Sequence, residues 1–210
     1  MFNKKELDNI RKELPEKAKI MGVTKTKPVG DIIKAVNSGI KIIGENYIQE
    51  AEPKYEKLRG LFKENKVSFH LIGHLQSNKA KKAVEIFNCI ETIDSLKLAE
   101  KINNVCENLN KKIDIMIEIN FNENLKSGIR ISKINYLINM VKKLQNLNLI
   151  GFMCIPPINK EKECFGKMKE LKEEYKVREL SMGMSSDYKI AIENGATIIR
   201  LGRILFGERD

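Results

Sequence analysis

Short apolar runs rich in β-branched residues alternate along the chain with longer stretches in which apolar positions recur three and four residues apart. This two-period rhythm is the mark of parallel strands joined by crossover helices. The apolar runs predict eight strands, at Lys19–Thr24, Ile40–Gly44, Phe69–Gly73, Cys89–Ile93, Ile113–Asn120, Leu149–Ile155, Glu179–Met182 and Thr197–Leu201. Helices are predicted between them over 30–38, 46–65, 76–87, 95–109, 131–145, 161–175 and 186–194; in the fourth, Leu96, Leu98, Ala99, Ile102 and Val105 mark an apolar face. The punctuation agrees. Pro28 suits a first helical turn, Asp94 or Ser95 can cap the helix before Leu96, and Gly39 and Gly195 close helices ahead of the next strands. Segment 3–14 adds a helix in front.

Eight strand and helix units at roughly 24 residues each fit a single (β/α)8 TIM barrel with short loops, one domain over residues 1–210. An open doubly wound sheet is the other arrangement of such units. Its glycine-rich phosphate fingerprint after the first strand is missing, because Lys25-Thr26-Lys27-Pro28 stands there.

Composition narrows the class. With 42% hydrophobic and 31% charged residues among 210, the chain is globular rather than disordered or collagenous. No run of about 18 apolar residues is present, and Met1–Leu7 is an amphipathic charged segment rather than a signal core, so a cytoplasmic protein without a membrane partner is expected. The formal charge is +10, but lysines and glutamates alternate along the helical segments with no aromatic platform, which describes a solvated surface and not a nucleic-acid interface. Cys89, Cys106, Cys154 and Cys164 are too widely spaced for a paired motif and read as reduced thiols. His70 and His74 stand four apart in Ser68–His74, which reads as a strand ending at glycine, so no metal is expected there.

In a barrel the chemistry gathers where strands run into the following helices. Those junctions hold Lys25, Glu45 with Asn46, His74, Asp94, Asn120, Ile155 with Pro156, Ser181 to Ser185, and Gly202. A lysine ending the apolar strand Ile20-Met21-Gly22-Val23 either snorkels to the rim or is a desolvated amine able to condense with a carbonyl compound. Ser185 and Gly202 are a helix cap and a turn, or parts of an anion cradle of backbone N–H groups after strands seven and eight. An amine for an aldehyde and a cradle for a phosphate on one face match the two ends of pyridoxal phosphate.

The motifs Val23-Thr24-Lys25-Thr26-Lys27-Pro28, Gly44-Glu45-Asn46-Tyr47, His70-Leu71-Ile72-Gly73-His74-Leu75-Gln76-Ser77-Asn78-Lys79, Lys126-Ser127-Gly128, Leu180-Ser181-Met182-Gly183-Met184-Ser185 and Arg200-Leu201-Gly202-Arg203-Ile204-Leu205-Phe206-Gly207 occur in that order. Together they resemble the YggS/PROSC family of pyridoxal phosphate homeostasis proteins, over about residues 20–208. The resemblance implies a barrel of the alanine racemase N-terminal type that binds pyridoxal 5'-phosphate without established turnover and hands it to apo-enzymes, as a monomer or weak dimer. By position, Lys25 matches the Schiff-base lysine, Asn46 the asparagine after strand two, Ser181, Ser185 and Gly202 the phosphate cradle, and Arg200 the arginine near the pyridine nitrogen. Lys27 is then a neighbour facing the mouth or solvent, and Lys126 a loop lysine or an aid to transfer. Two departures stand out: Arg203 replaces a frequent threonine or serine, and the region before Lys25 is short. The alternative is a racemase-like enzyme. That chemistry needs a second base on the far face of the substrate, supplied in alanine racemases by a further domain for which this chain has no residues.

Overall fold

The computed structural model describes residues 1–122 and 127–208. Eight parallel strands close on themselves in chain order: β1 (Lys19–Val23), β2 (Ile42–Glu45), β3 (Ser68–Leu71), β4 (Cys89–Ile93), β5 (Ile113–Ile119), β6 (Leu147–Cys154), β7 (Glu179–Ser181) and β8 (Ile198–Leu201). Closure comes from β1 against β8, with Lys19 opposite Ile198 and Met21 opposite Arg200. The helices are α1 (Lys4–Glu13), α2 (Val29–Asn37), α3 (Ile48–Asn65), α4 (Ala80–Ile86), α5 (Leu96–Asn108), α6 (Ile134–Val141), α7 (Glu161–Tyr175), α8 (Tyr188–Glu193) and the short α9 (Arg203–Phe206). The expected (β/α)8 barrel with an extra leading helix is what forms.

Differences from the expected boundaries are local. The segments before α4 and α6, Ser77–Lys79 and Ile131–Lys133, wind as 3-10 turns, and α6 ends at Val141 rather than 145. Gly39 and Gly195 take φ of +88° and +84° after their helices, the left-handed conformation that lets a chain leave a helix cheaply. Ser95 caps α5, its hydroxyl accepting from Leu98 N–H at 3.4 Å. Helix α1 is anchored by Asn3 N–H on Leu205 C=O and by Phe2 against Phe206, ring centroids 5.5 Å apart.

Strand alternation divides the core into two shells. Met21, Ile42, Ile72, Cys89, Met116, Ile150, Met153 and Ile198 pack as one cluster in the barrel's interior. Their neighbours, among them Ile43, Phe69, Ile90, Ile115, Phe152, Leu180 and Ile199, turn outward under the helices. Phe69 is the clearest of these, with Tyr55, Phe62 and Phe87 at ring distances of 6.0, 5.4 and 4.7 Å. All four cysteines are free and buried in these layers; desolvation pushes the Cys106 thiol up to about 11 and Cys154 up to about 12. Among the described residues no helix is long and apolar enough to cross a membrane.

The β5–β6 ladder slips register between Ile115 opposite Leu149 and Met116 opposite Gly151. The irregularity brings backbones together: a Cβ on Gly151 would lie 2.2 Å from Glu179 O, a carbonyl held within β7. Gly151→Ala is therefore expected to cost about 1–3 kcal/mol of stability, as overpacking of a rigid site does; urea unfolding monitored by circular dichroism should show a lowered midpoint, whereas Gly60→Ala, where nothing lies within 4 Å, should not.

Candidate functional site

The strands' carboxyl ends open on a cavity of about 560 Å³, within the range of small-molecule sites. Its walls include Lys25, Asn46, Ser185, Arg200 and Gly202, so five of the six residues expected at the site meet in one cavity. Lys27 and Arg203 line it as well.

Lys25 lies just beyond β1, in a turn from Thr24 to Lys27 closed by Lys27 N–H on Thr24 C=O at 3.0 Å. Asn46 follows β2 and lines the cavity, and its side-chain Oδ1 is buried with no hydrogen-bond partner. Gly73 makes room for this segment, since a Cβ there would lie 2.0 Å from Asn46 O.

Arg200 forms part of the wall from β8 and is only 4% exposed. Its guanidinium donates to Ser181 C=O at 2.5 Å, Ser181 Oγ at 3.0 Å and Cys154 C=O at 2.7 Å, so the buried cation rests on three neutral oxygens. Ser181 is thereby set apart from the other five: it is fully buried, its hydroxyl supports Arg200, and it is not among the cavity's lining residues.

Ser185 begins a turn that leads straight into α8, because Asp187 and Tyr188 N–H both donate to Met184 C=O. The cap is nevertheless not Ser185. Asp187 Oδ1 takes Met184 N–H, while Ser185 Oγ accepts from Ile204 N–H at 3.4 Å and ties this turn to α9. Gly202 precedes α9 and faces Val23, with a hypothetical Cβ no nearer than 3.7 Å, so the fold alone does not demand glycine. Lys27 is 8% exposed, and its ammonium donates to Glu208 C=O, which places it in the cavity wall rather than in solvent. Lys126 lies outside the described residues.

A match to the family described as alanine racemase, N-terminal domain, covers residues 4–210. A pyridoxal phosphate homeostasis protein of Synechocystis is 39% identical over the whole of both chains, and one of Escherichia coli is 35% identical over 93% of this chain and 88% of its own. The chain belongs to the pyridoxal phosphate homeostasis protein family. PipY of Synechococcus elongatus, solved without and with PLP bound, superposes at TM-scores of 0.89 and 0.88 with 33% and 32% identity, over 97% of this chain and 99% of PipY. An alanine racemase of Clostridium difficile shares the fold at a TM-score of 0.77 and 18% identity, with 55% of its length covered.

Beside the expected residues, this family member carries an acidic group that the pattern of apolar residues concealed. Glu118 sits on β5 between Ile117 and Ile119 and is 6% exposed; Oε1 accepts from Ser127 Oγ at 3.0 Å, and Oε2 is buried without a partner. Desolvation, and secondarily Asp94, push its carboxyl above the ordinary range, while Ser127, Arg200 and His74 pull it back. A charge in the middle of an apolar strand was the signal. His74 does not join His70 but faces Asp94 at 3.6 Å. His70 lies deeper, Nδ1 against Glu91 Oε1 at 2.6 Å and Nε2 on Ser68 Oγ at 2.8 Å; with Cys89 and Glu91 it forms the one group of metal-capable atoms among the described residues, all within 4.8 Å.

The raised Glu118 carboxyl fixes the sign of a pH effect. A group that holds its proton more tightly folded than unfolded favours the folded state at low pH, and this contribution is lost as pH rises from the ordinary value of 4.5 through the raised one. Glu118→Gln removes that loss. Its unfolding free energy relative to the unmutated protein is expected to increase from acid to neutral pH, as denaturant titrations at a series of pH values will read; a constant difference would contradict the assigned direction.

Proposed function

We propose that this protein binds pyridoxal 5'-phosphate as a Schiff base on Lys25, limits the free reactive aldehyde in the cytoplasm, and releases the cofactor to apo-enzymes. The observation that carries this reading is one cavity lined together by Lys25, the buried Arg200 and Asn46 at the carboxyl ends of the strands. The residues fit the group: Lys25 would supply the amine for its aldehyde, Asn46 a side-chain amide beside it, and Ser185, Gly202 and Arg203 the polar rim for its phosphate. Kinship to a protein solved with PLP bound supports the same assignment.

When bound, the cofactor supplies a carbonyl that condenses reversibly with an amine, water leaving. What the chain does with it follows from Arg200. A permanent cation beside a pyridine nitrogen opposes its protonation and so weakens the electron sink that amino-acid chemistry requires. Because the guanidinium is held by neutral oxygens, its charge is not cancelled by a directly bonded carboxylate among the described residues. Carriage rather than turnover is the role this favours, with Ser181 holding Arg200 in place.

Two outcomes test the reading. Borohydride reduction of the loaded protein followed by peptide mapping should find the label on Lys25, and Lys25→Ala should lose it while keeping the far-ultraviolet spectrum of the barrel; label mainly on Lys27 or Lys126 would refute the assignment. In heavy water, α-deuterium incorporation into alanine by the loaded protein should not exceed that of free pyridoxal phosphate at equal concentration. Exchange well above it and dependent on Lys25 would identify a racemase-like enzyme instead.

A further inference from the structure

Outside the residues that line the cavity lies a largely buried ionic cluster, and its bonds converge on the backbone around Lys25. Lys54, in the second turn of α3 and 8% exposed, uses all three of its ammonium protons: on Thr24 C=O at 2.6 Å, Glu45 Oε1 at 2.7 Å and Glu50 Oε1 at 2.6 Å. Thr24 Oγ1 donates to the same Glu45 oxygen at 2.6 Å, and Thr26 N–H donates to the same Glu50 oxygen at 2.5 Å.

The positions of these bonds matter more than their number. Thr24 C=O belongs to the peptide unit before Lys25, and Thr26 N–H to the one after it. Both planes flanking the Lys25 Cα are thus clamped by one lysine and one glutamate spaced i,i+4 on a single helix, which fixes the two torsions that aim the Lys25 side chain. Thr26 itself sits at φ +65°, the third position of the turn, where glycine or asparagine is usual and a β-branched residue is strained. Such strain persists only where the surroundings over-determine it, and the bond from Thr26 N–H to Glu50 is the contact that does so here.

We infer that Glu50 and Lys54 are the positioning residues of the Lys25 amine, holding the Thr24–Lys27 turn in the one conformation that points the amine into the cavity. The inference rests on the reading of Lys25 as the cofactor lysine, and it extends that reading to residues outside the cavity. Glu45 completes the device. Burial raises its carboxyl above the ordinary range and Lys54 opposes that shift, so the ammonium answers a carboxylate that would otherwise stand alone in the core.

Because both bonds to Glu50 land on Oε1, Glu50→Gln keeps an oxygen for Thr26 N–H and Lys54, whereas Glu50→Ala removes it. Glu50 is partly exposed, so both variants are expected to fold, unlike Lys54→Met, which strands the Glu45 carboxylate. The experiment follows borohydride-trapped adduct at Lys25 against time of exposure to pyridoxal phosphate, and amide hydrogen exchange over 24–27 in the cofactor-free protein. Glu50→Ala should form the adduct roughly tenfold or more slowly, the scale set by a misplaced reacting group, and exchange faster at Thr26; Glu50→Gln should restore both. Unmutated rates in Glu50→Ala, or equal loss in the alanine and glutamine variants, would overturn the inference. If the unmutated protein forms no adduct at Lys25, the cofactor reading fails by itself, and the exchange data alone then decide whether the clamp exists.

Discussion

Closure of the sheet between β1 and β8 is the constraint on which everything else here rests. A closed parallel barrel has no edges, so its backbone groups are paired within the wall, but the wall is thinnest one strand before that closure, between β7 and β8. Strand β7 is three residues long, and only Ser181 and Ile198 are in register between it and β8. Backbone bonds from Thr197 N–H to Leu180 C=O, Met182 N–H to Ile198 C=O and Arg200 N–H to Gly183 C=O carry the seam past β7, and side chains reinforce it. Thr197 Oγ1 receives Leu180 N–H at 2.8 Å, and Arg200 reaches across from β8 to carbonyls of both β7 and β6. The guanidinium in the cavity wall is therefore also a structural tie, and its cost of burial is offset by the oxygens of Ser181 and Cys154 that it bonds.

The barrel's interior is polar at both ends, but not in the same way. Towards the amino ends of the strands the polar groups are matched: Lys19 with Glu179 at 2.6 Å, Asn148 with Asp114 at 2.6 Å. Elsewhere in the wall the buried oxygens without partners are Glu45 Oε2 at the end of β2, Asn46 Oδ1 just after it, Glu91 Oε2 within β4 and Glu118 Oε2 within β5. A stable fold tolerates few such atoms. Of these residues Asn46 lines the cavity at the strands' carboxyl ends, where barrels of this kind place their chemistry.

Much of this was legible in the sequence, because the strand period and the turn residues act locally. Strand β4 and helix α7 have the bounds the apolar pattern implies, Gly39 and Gly195 end helices as expected, and the junction residues Lys25, Asn46, Ser185 and Gly202 line one cavity together with Arg200, which the family resemblance supplied. What stayed hidden depends on contacts across the fold. Ser181 resembles its neighbours in a serine- and glycine-rich stretch, yet as the last residue of β7 it is fully buried and its hydroxyl accepts from Arg200. Lys54 looked like one more lysine on a charged helix; only the docking of α3 beside β2 shows that its amine is inside. Lys27 was read as facing the mouth or solvent, and the chain's return at Glu208 covers it.

The burial of all four cysteines has a practical side. Desolvation disfavours the thiolate at Cys89, Cys106, Cys154 and Cys164 alike, so the native sulfurs are poor nucleophiles towards maleimides, iodoacetamides and peroxide. A single cysteine placed on the rim, in exchange for the exposed Met184, would then be the one fast-reacting thiol of the molecule. Fluorophores or spin labels can accordingly be attached beside the mouth without first stripping the natural sulfurs from the core, which makes the barrel a ready scaffold for optical reporters of cavity occupancy.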